Sequence, residues 1–156
     1  MRAKTPSFAS RYGEAFAFYR DVPNIVATLK SLPKAPLIAT ASRTHTPDLA
    51  QTLLKQLTIP TKPWEPTTTS FKPALGFFDH HQIYPGDKRT HMTKLHEKTG
   101  IQFEDMLFFD DEHRNSNVEK LGVSFCLVRD GVTWAEVERG VREWRKRTGR
   151  EYKPAD

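Results

Sequence analysis

The sequence predicts an α/β fold in which a sheet is wound with crossover helices. Two observations carry that expectation. Short apolar runs at 36–41, 106–109 and 123–128 alternate with segments whose apolar residues recur at helical spacing, the pattern of βαβ units. Two of these runs also end in polar or acidic residues, Ser42-Arg43 and Asp110-Asp111, at the strand ends where parallel sheets bind ligands.

The elements follow in order. Residues 16–19 read as extended. Pro23 suits the first turn of a helix that carries Ile25, Val26, Leu29 and Leu32 on one stripe. The buried strand 36–41 comes next. Thr46-Pro47 then marks a helix start, with Thr46 as cap and Leu49, Leu53, Leu54 and Leu57 as the apolar face. The stretch 59–72, rich in Pro and Thr, reads as a loop. Residues 83–86 give a strand and a Pro-Gly turn. Lys88 follows, before a helix that turns Met92 and Leu95 inward and closes at Gly100. The strongest strand, 106–109, runs into Asp110-Asp111. A short helix through Val118 and Leu121 ends at Gly122, strand 123–128 follows, and 129–131 turn the chain. The last helix opens on a capping box, Thr133 with Glu136, and carries Trp134, Val137, Val141 and Trp144 on one side.

A chain of 156 residues, 37% apolar and 28% charged, has the size and composition of one globular domain. We expect that domain over 13–148, an irregular segment over 1–12 and a tail over 149–156. No apolar run is long enough for a membrane span, so a soluble protein is expected. The single cysteine, Cys126, excludes an internal disulfide framework and suits the cytoplasm; within 123–128 it reads as a buried strand thiol. The net charge of +5 is concentrated near the end, at Arg139, Arg142, Arg145, Lys146, Arg147, Arg150 and Lys153. That reads first as a solvated helix face, and nucleic-acid binding is a distant alternative.

The chemistry centres on Asp110-Asp111. Adjacent carboxylates beside an apolar strand repel each other and resist desolvation, and a bound cation relieves both costs. Magnesium suits such a place because it takes oxygen ligands and commonly uses one or two carboxylates with water and phosphate. The plainer alternative is that Asp110 caps the following helix while Asp111 faces water. Ser42 ends a strand, where its hydroxyl and nearby N–H groups can hold a phosphoryl oxygen. Arg43 can pair with phosphate, and Lys88 is aimed by a rigid turn. Taken singly, each also reads as an ordinary turn or surface residue. The six histidines lack metal-ligand spacing, His91 and His96 included, and read as exposed or helix-packing.

Taken together, Ile38-Ala-Thr-Ala-Ser42-Arg43-Thr44, Ile83-Tyr-Pro-Gly86-Asp-Lys88 and Leu107-Phe-Phe-Asp110-Asp111-Glu-His-Arg-Asn115 resemble the magnesium-dependent phosphatase family of the haloacid dehalogenase (HAD) superfamily. The resemblance implies a HAD-like, Rossmann-like parallel sheet with helices on both faces. It implies Mg²⁺ as cofactor and a small phosphomonoester, phosphotyrosine-like or sugar phosphate, as substrate. It assigns Ser42 to the phosphoryl group, Arg43 to substrate, Lys88 to the charges of nucleophile and phosphate, Asp110 and Asp111 to the metal, and Asn115 to support of its water shell.

One departure stands out. The family's nucleophile and general acid–base lie in an Asp-x-Asp-x-Thr motif on the first central strand, and no Asp-x-Asp occurs in this sequence. Asp21 matches a later segment and is no substitute. The resemblance therefore implies a missing first strand, and a truncated gene model or an alternative product is the leading expectation. A catalytically silent form that keeps part of the phosphate or Mg²⁺ site is the rival.

Overall fold

The structure, a computed structural model, describes residues 7–9 and 15–150. The chain divides into two compact units, Met1–Pro85 and Gly86–Asp156. Of the segment expected to be irregular, Ser7–Ala9 (β1) pairs antiparallel with Ala15–Ala17 (β2), and the rest of 1–12 lies outside the described residues. So do the tail residues 151–156.

In the first unit, α1 (Val22–Ser31) begins with Pro23 in its first turn and buries Ile25, Val26 and Ala27. β3 (Ala39–Ser42) runs parallel to β6 (His80–Ile83), with Ala39 opposite His80 and Ser42 opposite Ile83. The strand starts later than the apolar run suggests. Ahead of it, the Ile38 N–H donates to the Asp79 carboxylate at 2.8 Å, so a side chain holds the backbone where a neighbouring strand would. The Lys30 ammonium closes on the same carboxylate at 2.8 Å. Burial would raise the Asp79 carboxyl, but the hydrogen bonds from Lys30 and Ile38 outweigh it and hold the carboxyl below its usual range.

Helix α2 (Pro47–Gln56) starts at Pro47 as expected, but Thr46 makes no side-chain cap. Its hydroxyl meets that of Thr44 at 3.0 Å instead. The leucine face of α2 is only partly covered: Leu49 is 42% exposed, whereas Leu57, just past the helix, is buried. The segment read as a loop holds an antiparallel pair, β4 (Thr58–Pro60) with β5 (Phe71–Pro73). Its apolar ends give it a place in the core: Ile59 and Ala74 are buried with Val26, Ala27 and Leu57.

The second unit contains α3 (Lys88–Thr99), β7 (Leu107–Asp110), β8 (Ser124–Leu127) and α4 (Trp134–Arg147). β7 and β8 are parallel, with Leu107 opposite Ser124 and Asp110 opposite Leu127. Gly100 closes α3 at φ 71°, a conformation that favours glycine. The expected helix between β7 and β8 is a 3₁₀ segment, His113–Leu121. Cys126 is buried as expected, and His91 in α3 is fully enclosed. His81, in β6, departs from the expectation for histidines, since its Nδ1 pairs with the Thr40 hydroxyl of β3 at 2.9 Å.

In α4, Thr133 accepts the Glu136 N–H at 3.2 Å. The reciprocal half of the box is not made, because the Glu136 carboxylate turns to Arg139. Of the expected stripe, Val137, Val141 and Trp144 are partly buried on the side of Gly140, the buried residue of the helix, whereas Trp134 departs from it at 38% exposed. Much of the basic charge here is spent inside the unit. Arg139 donates to Leu127 O at 2.8 Å, Arg147 to Val123 O at 2.9 Å, and Arg150 pairs with Asp105 over the Trp144 ring.

Candidate functional site

The carboxyl end of β7 gathers three of the residues singled out above. Asp110 ends the strand. Lys88 opens α3 directly after a turn in which Gly86 adopts φ 135°. The Lys88 Nζ lies 3.0 Å from Asp110 Oδ2, with side chains only 6% and 9% exposed, and 5.1 Å over the Phe108 ring. The other carboxylate oxygen, Oδ1, accepts the Glu112 N–H at 2.8 Å and Asn115 Nδ2 at 3.0 Å. The 3₁₀ segment puts Asn115 there, its own N–H bonded to Glu112 O at 3.0 Å.

Burial pushes the Asp110 carboxyl up. The hydrogen bonds from Asn115, Glu112 and Lys88, with the charge of Lys88, outweigh burial and hold the group below the usual carboxylate range. It is therefore an anion at neutral pH. Asp111, next along, is exposed. Among the described residues no set of three or more His, Cys, Asp or Glu side chains gathers as a metal centre.

Two residues not singled out in the sequence build this corner. Asp87 caps α3, accepting the Arg89 N–H at 2.8 Å. It also takes Asn117 Nδ2 on both oxygens, at 3.1 and 3.0 Å. This ties the first turn of α3, which carries Lys88, to the 3₁₀ segment that carries Asn115. Side-chain and backbone hydrogen bonds from Arg89 are the largest cause of an Asp87 carboxyl lowered to about 2, with Asn117 adding to them. An Asp just before a helix is an N-cap signal visible in sequence; a partner thirty positions away is not.

Asp87→Ala is expected to cost about 1 kcal/mol of stability through loss of the cap. Because the folded carboxyl is depressed, its contribution is present above the ordinary carboxylate value near 3.8 and lost as pH falls toward about 2. Urea unfolding of both proteins across that range checks this, with the two curves expected to converge in acid.

Ser42 and Arg43 lie in the first unit, at the carboxyl end of β3. The Ser42 hydroxyl accepts the Thr44 N–H at 3.3 Å, and its carbonyl accepts the Tyr84 N–H at 3.1 Å.

The cluster at Asp110 is suited to a hard cation. A carboxylate offers about four acceptor directions, and the three donors around Asp110 leave room for one more contact. Lys88, Asp110 and Asp111 together carry one net negative charge. A divalent cation would reverse that sign and draw in a phosphate.

Comparison with known proteins agrees with this chemistry. The acid phosphatase family pattern matches residues 1–147. A HAD-like hydrolase superfamily protein of Schizosaccharomyces pombe is 36% identical over 115 residues, 74% of this chain and 62% of that protein. Magnesium-dependent phosphatase 1 of Homo sapiens is 34% identical over 137 residues, 87% of this chain and 68% of that protein. The chain thus spans about two thirds of the length of these relatives. The structure of a HAD-like family hydrolase from Porphyromonas gingivalis matches with a TM-score of 0.54 at 18% identity, over 76% of this chain and 56% of that one, a likeness of fold.

Proposed function

The chain belongs to the acid phosphatase family and has a HAD-like fold, and on that premise we propose that it is a phosphatase domain that binds phosphomonoesters with Mg²⁺. The observation that carries the proposal is the buried Lys88–Asp110 pair braced by Asn115. Mg²⁺, when bound by Asp110 and Asp111, would neutralise charge on phosphoryl oxygens. Lys88 sets its Nζ 3.0 Å from the Asp110 carboxylate beside that position. Asn115 and the Glu112 N–H hold the Asp110 carboxylate in one orientation, so that none of its reorganisation accompanies binding. Ser42 and Arg43 are the proposed phosphoryl and substrate contacts from β3. Aryl phosphates of the phosphotyrosine type and sugar phosphates are the substrate classes.

Hydrolysis through a phosphoaspartate needs one thing more, the carboxylates of an Asp-x-Asp motif, which these 156 residues do not contain. That observation favours a second reading for the 156 residues by themselves, in which they bind phosphate and Mg²⁺ without turnover. The test is p-nitrophenyl phosphate hydrolysis by the purified chain, with and without Mg²⁺. No turnover above background is expected from this chain. A form carrying an upstream Asp-x-Asp-x-Thr strand is expected to hydrolyse the ester with Mg²⁺ and to lose both turnover and Mg²⁺ dependence on Asp110→Asn. Mg²⁺-dependent turnover by the 156 residues, abolished by Asp110→Asn, would overturn the silent reading; full activity of that variant in the longer form would overturn the site.

A further inference from the structure

Resting on the reading of Lys88 and Asp110 as the phosphate and cation site, we propose that His91 is a positioning residue for it, whose buried ring holds the peptide that leads into Lys88 and so aims the Lys88 side chain. His91 lies one helical turn beyond Asp87 and is fully enclosed. Its Nδ1 lies 3.0 Å from the carbonyl oxygen of Asp87. A carbonyl oxygen only accepts, so Nδ1 carries the proton and donates it.

That carbonyl belongs to the peptide between Asp87 and Lys88. A peptide is planar, so the direction of its C=O fixes the place of the Lys88 N–H and Cα. Asp87 is gripped at both ends. Its carbonyl takes the His91 ring and, at 3.0 Å, the Thr90 N–H. Its carboxylate takes Asn117 Nδ2 at 3.1 and 3.0 Å. The turn before it supplies no such restraint, because Gly86 stands at φ 135° with open space where a Cβ would be. Lys88 reaches from this peptide to Asp110 along a flexible four-carbon stem, and its Nζ ends 3.0 Å from Oδ2. A small rotation of the peptide at the base of that stem moves Nζ at its tip. His91 therefore acts on the site only through the backbone of Lys88.

The test is a calorimetric titration of the purified chain with inorganic phosphate in the presence of Mg²⁺, run beside urea unfolding, for His91→Asn, His91→Gln and His91→Leu. The Asn amide N–H stands where Nδ1–H does, the Gln amide where Nε2 does, and Leu has no donor. Positioning through Nδ1 predicts that His91→Asn keeps phosphate affinity close to the parent's. His91→Gln and His91→Leu should lose roughly tenfold, the scale for removing a supporting partner of a site. A role in packing alone predicts the opposite order, since Asn is the smallest of the three and leaves the largest cavity. Affinity that merely follows stability overturns the inference. Nitrogen NMR of the parent chain tests it without any variant: the His91 ring should carry a proton on Nδ1, and a ring protonated at Nε2 alone overturns it. Lys88→Gln separates the two layers of the argument. If it weakens phosphate binding while His91→Gln and His91→Leu do not, this inference fails and the site reading stands. If Lys88→Gln binds as the parent does, or the parent chain binds no phosphate, both fail.

Discussion

Asp110→Ala is expected to lower the stability of the second unit by about 3 kcal/mol, the scale for removing one partner of a buried ion pair. The Asp110 side chain is 9% exposed and faces the ammonium of Lys88, itself 6% exposed. It also serves as acceptor for Asn115 Nδ2 and the Glu112 N–H. Alanine takes that acceptor from all three donors at once, in a place where water does not easily replace it. The loss should appear as a lower urea midpoint with the slope unchanged. Its pH dependence has a definite sign. The folded carboxyl is held below its ordinary value, so its contribution is complete above the usual carboxylate range and fades as pH falls through the lowered value. The gap between parent and variant should narrow on acidification. A gap that persists unchanged in strong acid would mean that the charge of Asp110 is not what stabilises the corner.

Gly140→Leu should be comparably costly, by about 3 kcal/mol from overpacking. A Cβ on Gly140 would sit 2.8 Å from Cε1 and Cζ of Phe109 and 3.4 Å from Cys126 Sγ, so α4 rests on β7 and β8 through the bare backbone of this residue. Alanine is the finer probe. In a helix it should gain about 1 kcal/mol over glycine, but here the Phe109 ring must move to admit it, and a net loss of stability is expected. In a Phe109→Leu background the same Gly140→Ala change should become neutral or stabilising. A double-mutant cycle by urea unfolding measures that coupling. Equal effects in both backgrounds would show that the ring is not the obstacle.

The sequence made local features legible and left distant pairings hidden. Gly100 and Gly122 end their segments as read, because a positive φ is a single-residue property. Pro23 and Pro47 open helices for the same kind of reason. Thr46 fails as a cap because Thr44 competes for its hydroxyl, and no propensity records such competition. β4 and β5 were hidden because each has only three residues, two of them ending in proline, while their pairing bridges a polar loop. In the site, Asp110 and Lys88 were marked by what precedes them, an apolar strand and a Pro-Gly turn. Asp87 and Asn117, which tie α3 to the 3₁₀ segment, act through contacts that composition and period do not express.

The most direct test of the account is a calorimetric Mg²⁺ titration of the purified chain with inorganic phosphate present, repeated on Asp110→Asn. The account predicts saturable Mg²⁺ binding by the parent chain and a loss of at least about tenfold in the variant. Mg²⁺ binding that is absent from the parent chain, or unchanged in the variant, would contradict it.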